Sequence, residues 1–211
     1  MAMARRAVEG GSNAPQSRLA PAERREQIIE AASRVIAQNG FWGFAVRQVA
    51  DECGLTEPAV IYHFKNKVGL LIAVLEHRDR EDMTIFAHTL GVEAEDVWNG
   101  MVDFGIRELC AALVARNAAQ PEMVRLYTVL QGESLNDHHP AYQYFQQREE
   151  RVLDNMTRAA ERDGIENPRR EALAALSMMD GIQVRWLREP DAVDLVAEWN
   201  AYADSRWPRR D

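Results

Sequence analysis

The sequence predicts an all-α protein: a three-helix helix-turn-helix headpiece followed by a larger helical domain, about nine helices in all. Three observations carry that expectation. Apolar residues recur at three- and four-residue spacing in each long segment. Pro, Asn, Asp or Thr opens most of these segments and Gly closes several. No stretch alternates long enough to argue a strand. With 211 residues, 46% of them hydrophobic and 27% charged, the chain is long enough to bury a substantial core.

Residues 1–20 contain Gly10, Gly11, Ser12, Asn13 and Pro15 without apolar periodicity, and read as a flexible tail. After Pro21, the residues Ile28, Ile29, Ala32, Val35 and Ile36 share one helix face, and Gly40 stands where a C-terminal cap belongs. A short second helix from Val46 to Cys53 buries Val46, Val49 and Ala50 and ends at Gly54. A third runs from Glu57 to Phe64, with Thr56 as N-cap and Pro58 in the first turn, where no N–H is needed. Asn66 caps a long fourth helix that starts at Lys67, buries Leu70, Leu71, Val74 and Leu75, and continues to about His88 before Gly91.

A fifth helix is expected over Ala94–Arg116, where a narrow polar stripe of Asp96, Asn99, Asp103 and Arg107 marks a helix surrounded by others. Pro121 opens a sixth ending near Leu135, Pro140 a seventh ending near Arg162, and Pro168 an eighth; Asp191 caps a ninth. Between Ala172 and Leu187 the eighth is polar only at Ser177, Asp180, Gln183 and Arg185, so it belongs in a core or a subunit interface. The expected organisation is a tail over 1–20, a helix-turn-helix domain over 21–67, and a larger helical domain over 68–211.

The net charge of −8 argues against a polyanion partner until its distribution is considered. Residues 1–67 hold nine Lys/Arg against seven Asp/Glu, and the rest of the chain holds 16 against 26. An acidic body with a mildly basic head fits contact with nucleic acid at one end only. No uncharged apolar run nears the roughly 18–20 residues of a membrane span, and Arg5-Arg6 lead into no signal-like stretch. A cytoplasmic protein without membrane contact is expected, with Cys53 and Cys110 as buried thiols. His77 and His88 share a helix face but stand about 16 Å apart by helical rise, too far to chelate one ion. With no nucleophile–base set, phosphate loop or zinc motif, the chain predicts no catalytic residue, metal or cofactor.

Gly54 at the corner between two short helices fits the helix-turn-helix arrangement, whose second helix presents its N-terminal residues to base edges. Here those are Glu57, Pro58, Ala59 and Ile61, with Tyr62 beside them. The matching residues extend further: the Ile28–Ala32 region, Gly40-Phe41, Val46-Arg47, Val49-Ala50, Gly54-Leu55-Thr56, Tyr62-His63-Phe64, Lys67 and Leu70-Leu71. On them residues 24–75 resemble the DNA-binding domain of the tetracycline-repressor (TetR) family of bacterial transcription regulators. Pro140–Phe145 and the run from Asp180-Gly181 to Trp186-Leu187 resemble C-terminal segments of some members. The resemblance implies a homodimer that binds a palindromic operator and represses until a small-molecule effector enters its C-terminal domain. Three departures stand out. Phe44-Ala45 replace the usual hydroxyl residue before Val46, Pro58-Ala59 replace the usual Gly or Thr, and Ile61 stands where a tyrosine is usual, with the aromatic at Tyr62.

The DNA-contact set expected from this is Arg47, Thr56, Glu57, Pro58, Ala59, Ile61, Tyr62, His63 and Lys67. Arg47 reaches guanine or phosphate, or is a solvated surface arginine. Lys67 approaches a phosphate. Tyr62 and His63 donate to phosphates or pack in the three-helix core, to which Phe64 belongs. Glu57 accepts from cytosine N4 or only favours its helix N-terminus. Pro58, Ala59 and Ile61 have thymine methyls to contact. The effector pocket implied by the resemblance involves Trp98, Met101, Phe104, Met123, Tyr127 and Met178, alternatively plain core, together with Asp180 and Gln183. As a buried carboxylate Asp180 needs a partner, in Arg185, a second subunit or the effector. The competing reading is an all-α small-molecule-binding protein or enzyme that no longer binds DNA.

Overall fold

The computed structural model describes residues 19–98 and 104–207, which form ten α-helices and no strand. The first, α1 (Pro21–Gly43), begins with proline at its first position and buries Ile28, Ala32, Val35 and Ile36 on one face. Gly40 does not end it. The residue takes φ 68° and ψ 175°, and a further turn over Phe41–Gly43 resumes beyond the kink. The positive φ favours glycine at position 40, and a Cβ there would also displace the Glu133 carboxylate.

α2 (Val46–Cys53) and α3 (Glu57–Phe64) take the expected bounds, separated by Gly54 in the left-handed conformation at φ 64°. The hydroxyl missing before α2 is not replaced; only the reciprocal half of a capping box forms, with Gln48 Oε1 accepting from the Ala45 N–H at 2.7 Å. Thr56 occupies the N-cap position of α3, but its side chain makes no capping bond, contrary to expectation. α4 (Lys67–Leu90) begins as predicted, with Asn66 Oδ1 accepting from Gly69 N at 2.8 Å, and meets α3 at a 62° bend.

The single helix expected over Ala94–Arg116 is instead α5 (Ala94–Trp98) and α6 (Ile106–Ala118), which raises the expected nine helices to ten. Asp163, far along the chain, caps α6 by accepting from Ile106 N at 2.9 Å, and a Cβ on Gly105 would meet that carboxylate at 2.4 Å. α7 is Pro121–Glu133 and α8 is Tyr142–Arg162, starting two residues after Pro140 because Pro140 and Ala141 form a turn. α9 spans Pro168–Arg188. The cap of α10 (Leu195–Arg206) is Asp194 rather than Asp191, its Oδ1 accepting from Val196 N and Ala197 N at 2.9 and 3.0 Å.

Two apolar cores fill the molecule. One joins α1–α4 to Met123, Leu126, Tyr127 and Leu130 of α7 and Phe145 of α8. The other lies among the far end of α4 and helices α5, α6, α8, α9 and α10, around Ile106, Met156 and Trp199. α7 thus packs on α1 and belongs to the same core as the headpiece. No single helix among the described residues is long and apolar enough to cross a membrane.

Candidate DNA-reading face and effector cavity

α3 is anchored by Val60 and Phe64, one turn apart and both buried, each contributing roughly 1.5–3 kcal/mol of burial. That pair sets which residues turn outward. Thr56, Glu57 and Pro58 are exposed, Ala59 is half-buried, and Tyr62 stands 85% exposed, away from the three-helix core. Ile61 is partly buried against the core, so it is not a freely projecting reader. His63 is half-buried, its ring edge-on to Tyr62, and its carbonyl accepts from Arg25 Nη1 at 3.2 Å. Arg47 projects from α2 with its side chain 80% exposed and pairs with Asp51 at 3.9 Å.

Lys67 is differently placed. Its ammonium lies over the rings of Phe41 and Phe44, 4.7 and 4.5 Å from their centroids. Burial lowers its pKa, and the nearby Glu133 carboxylate opposes that shift. Glu133 in turn closes the kink of α1, with Oε2 accepting from Phe41 N at 2.6 Å. The buried ring of His139 packs edge-on to Phe41 and Trp42, with Nε2 3.5 Å from the same carboxylate oxygen. Burial lowers the His139 pKa more than Glu133 raises it. Arg25 and Trp42, exposed around this headpiece, were not singled out in the sequence, since neither falls on the short motif helices.

A cavity of about 240 Å³ opens in the other half of the molecule, between α4, α5, α6 and α8. Met83, Phe86, Leu109, Leu113 and Met156 form apolar walls, and Asp79, Asp82, Arg116 and Arg148 face the same space. Asp82 is 4% exposed and neither carboxylate oxygen has a hydrogen-bond partner. Burial raises its pKa, partly opposed by Arg116. Asp79 is well served, accepting from the Tyr127 hydroxyl at 2.9 Å and pairing with Arg148 and Arg151 at 3.6 and 3.7 Å.

A smaller space of about 70 Å³ continues from it, sharing Leu113, Arg116, Arg148 and Val152. Here the fold brings together four of the effector candidates, Met123, Tyr127, Asp180 and Gln183. Burial pushes the Asp180 carboxyl up to about 6, with Arg148 and a bond from Gln131 opposing; Arg185 is exposed and is not among the groups acting on it. Phe104 packs against the second core and Met178 is exposed; neither lines these two spaces. Trp98 closes α5 with its side chain outside the described set, and Met101 lies outside the described residues. Sequence reasoning missed Asp79, Asp82, Arg116 and Arg148. Asp79, Asp82, Met83 and Phe86 share one face of α4 by helical spacing, a signal that was there to find.

A corner glycine, an anchored α3 and an outward row of side chains on it define a helix-turn-helix headpiece, the equipment of a DNA-binding transcriptional regulator. Residues 28–74 match the model of the bacterial regulatory proteins of the tetR family. The HTH-type transcriptional regulator TtgR of Pseudomonas putida is 27% identical over 201 residues, covering 87% of this chain and 89% of TtgR. NalD of Pseudomonas aeruginosa, the secondary repressor of the MexAB-OprM multidrug efflux pump, shares the fold. Its TM-score is 0.61 at 19% identity, over 87% of this chain and 94% of NalD. FadR of Bacillus subtilis, solved with stearoyl-CoA, gives 0.64 at 17% identity over 88% and 99% of the two chains. Residues 28–74 are thus a tetR-family headpiece, and the chain is a DNA-binding transcriptional regulator.

Proposed function

We propose that this regulator is a homodimeric repressor that holds a palindromic operator and releases it when a small molecule occupies the cavity beside α4. It acts in the cytoplasm and carries no catalytic activity of its own. The observation that carries the reading is the double attachment of α7. Tyr127 lines the smaller space that continues from the cavity and hydrogen-bonds Asp79 of α4, which lines the cavity itself, while Glu133 binds the kinked end of α1. These two residues are about 9 Å apart along one helix, so a shift at the cavity reaches the headpiece without passing through a loop. A ligand acts this way only by binding one arrangement of α4 and α7 more tightly than the other.

Two further observations support the proposal. α9 leaves Leu173 and Met178 exposed at 49% and 40%, beside exposed Ser177 and Gly181, a surface suited to a second copy. NalD is a repressor, and FadR has been solved with a bound small molecule. In the dimer, two copies of α3 enter successive major grooves about 34–36 Å apart, with Arg47, Tyr62 and Thr56 at phosphates and Glu57, Pro58 and Ala59 toward bases. His63, Ile61 and Lys67 support that surface from partly buried positions. The domains divide near residue 67, with α7 serving both. Selection from random duplexes followed by footprinting is expected to return a palindrome with half-sites one helical turn apart. A single unpaired half-site, or binding indifferent to sequence, overturns the operator-bound dimer.

A further inference from the structure

The cavity beside α4 contains one group that the protein leaves unsatisfied. Asp82 is 4% exposed, both its oxygens lack hydrogen-bond partners, and it faces the 240 Å³ space. A buried acceptor left in that state carries an uncompensated desolvation penalty, which a ligand that donates to it removes. Asp79, the other carboxylate on this face, is already engaged by Tyr127, Arg148 and Arg151. The demand for a donor therefore falls on Asp82.

Charge restricts what kind of donor fits. Arg116, buried at 9% exposure, lines the same space with its guanidinium bonded through Nε and Nη2 to Asn117 Oδ1. A cationic head at Asp82 would sit in the field of Arg116 and Arg148. An anionic head at Asp82 would meet like charge, and one drawn to the exposed Arg151, Arg158 and Arg162 at the rim would leave Asp82 unserved. A neutral group that both donates and accepts meets neither conflict. The walls of Met83, Phe86, Leu109, Leu113 and Met156 require the rest of the molecule to be apolar. The volume falls a little below the roughly 300–1,000 Å³ of common ligand sites, which favours a body of one or two rings.

We infer that the effector is a compact apolar alcohol, a phenol above all. Its hydroxyl donates to the Asp82 carboxylate while its oxygen accepts from the Arg116 guanidinium. The inference rests on the reading of this cavity as the effector site and specifies the head group that site selects.

Calorimetric titration of the full-length protein with four probes of one shape tests it: 4-phenylphenol, biphenyl, 4-(aminomethyl)biphenyl and biphenyl-4-carboxylate. The phenol is expected to bind at least about 10-fold more tightly than each of the others, the factor one satisfied hydrogen bond supplies. Asp82→Leu is expected to bring the phenol down to the level of biphenyl, with circular dichroism verifying that the variant folds. Asp82→Asn, the neutral isostere, reduces the preference without removing the side chain. Equal or tighter binding of biphenyl, the amine or the carboxylate overturns the inference, and so does failure of all four to bind. Release of the selected operator duplex, followed in the same titrations, separates the two readings. A charged probe that binds best and releases DNA removes only the head-group assignment. An Asp82-dependent preference for the phenol without release upholds that assignment and removes only the effector reading.

Discussion

Tyr62 and Arg47 are large side chains that the headpiece turns outward, and their surroundings determine how each responds to substitution. The Arg47–Asp51 pair is exposed on both sides and worth less than about 1 kcal/mol, so a phosphate can displace Asp51 without loss to the fold. Arg47→Ala is expected to weaken operator binding, to reduce the slope of log affinity against log salt by about 1, and to leave the melting temperature unchanged. Fluorescence anisotropy at several salt concentrations, beside a thermal melt, checks this. Lys67→Ala contrasts with it: two aromatic rings lose their cation, and the melt drops as well.

Asp180 gives a residue-scale prediction in pH. Its folded carboxyl is raised to about 6 from an ordinary 3.8, so the folded state holds the proton more tightly than the unfolded state. Stability from this group therefore falls as pH rises from about 4 through about 6 and then levels, by an amount on the order of 3 kcal/mol. Asp180→Asn is expected to flatten that segment of a urea-stability profile and to melt higher than the parent at pH 7. At this scale the sequence pointed to Asp180 and Gln183 through their rarity on an apolar helix. It was silent on Arg116 and Arg148, whose meeting with Asp82 depends on how α6 and α8 pack against α4.

Among the elements, α1 shows best what periodicity conveys and what it omits. The register of Ile28, Ala32 and Ile36 and the glycine at position 40 were legible because helix faces and breakers are local. That the chain resumes helix beyond Gly40 was not, because the capping carboxylate comes from Glu133, 92 residues away. The break between α5 and α6 has the same cause, with Asp163 supplying the cap from 57 residues away. Glu133→Ala leaves the Phe41 N–H without its charged acceptor and is expected to cost about 2 kcal/mol in urea unfolding. Gly40→Ala should cost at least as much, since its φ of 68° strains any Cβ and the added carbon displaces the same carboxylate. Loss of ligand-triggered release in Glu133→Ala, with operator affinity kept, is the signature of α7 as the link.

For the whole molecule, the exposed apolar strip of α9 bears on assembly. Leu173→Glu with Met178→Glu places two charges where a second copy is proposed to dock, and is expected to yield monomers by analytical ultracentrifugation. Operator affinity should then fall by about 100-fold or more, because each half-site loses the local concentration its partner provides. A sedimentation profile unchanged by both charges would move the dimer contact elsewhere. The all-α class and the headpiece were legible at this scale. The division into parts was harder to read, because one core unites helices distant in sequence.

The shared core has a practical consequence for anyone exchanging parts between regulators. A graft cut after Lys67 takes α1, α2 and α3 but leaves behind Met123, Leu126, Leu130 and Phe145, which complete the apolar bed under them. The transplanted piece would meet a foreign α7 with the wrong knobs, and Gly40 would face whatever replaced Glu133. A chimera that keeps operator choice and changes inducer therefore has to carry α7 with its headpiece, as a discontinuous module.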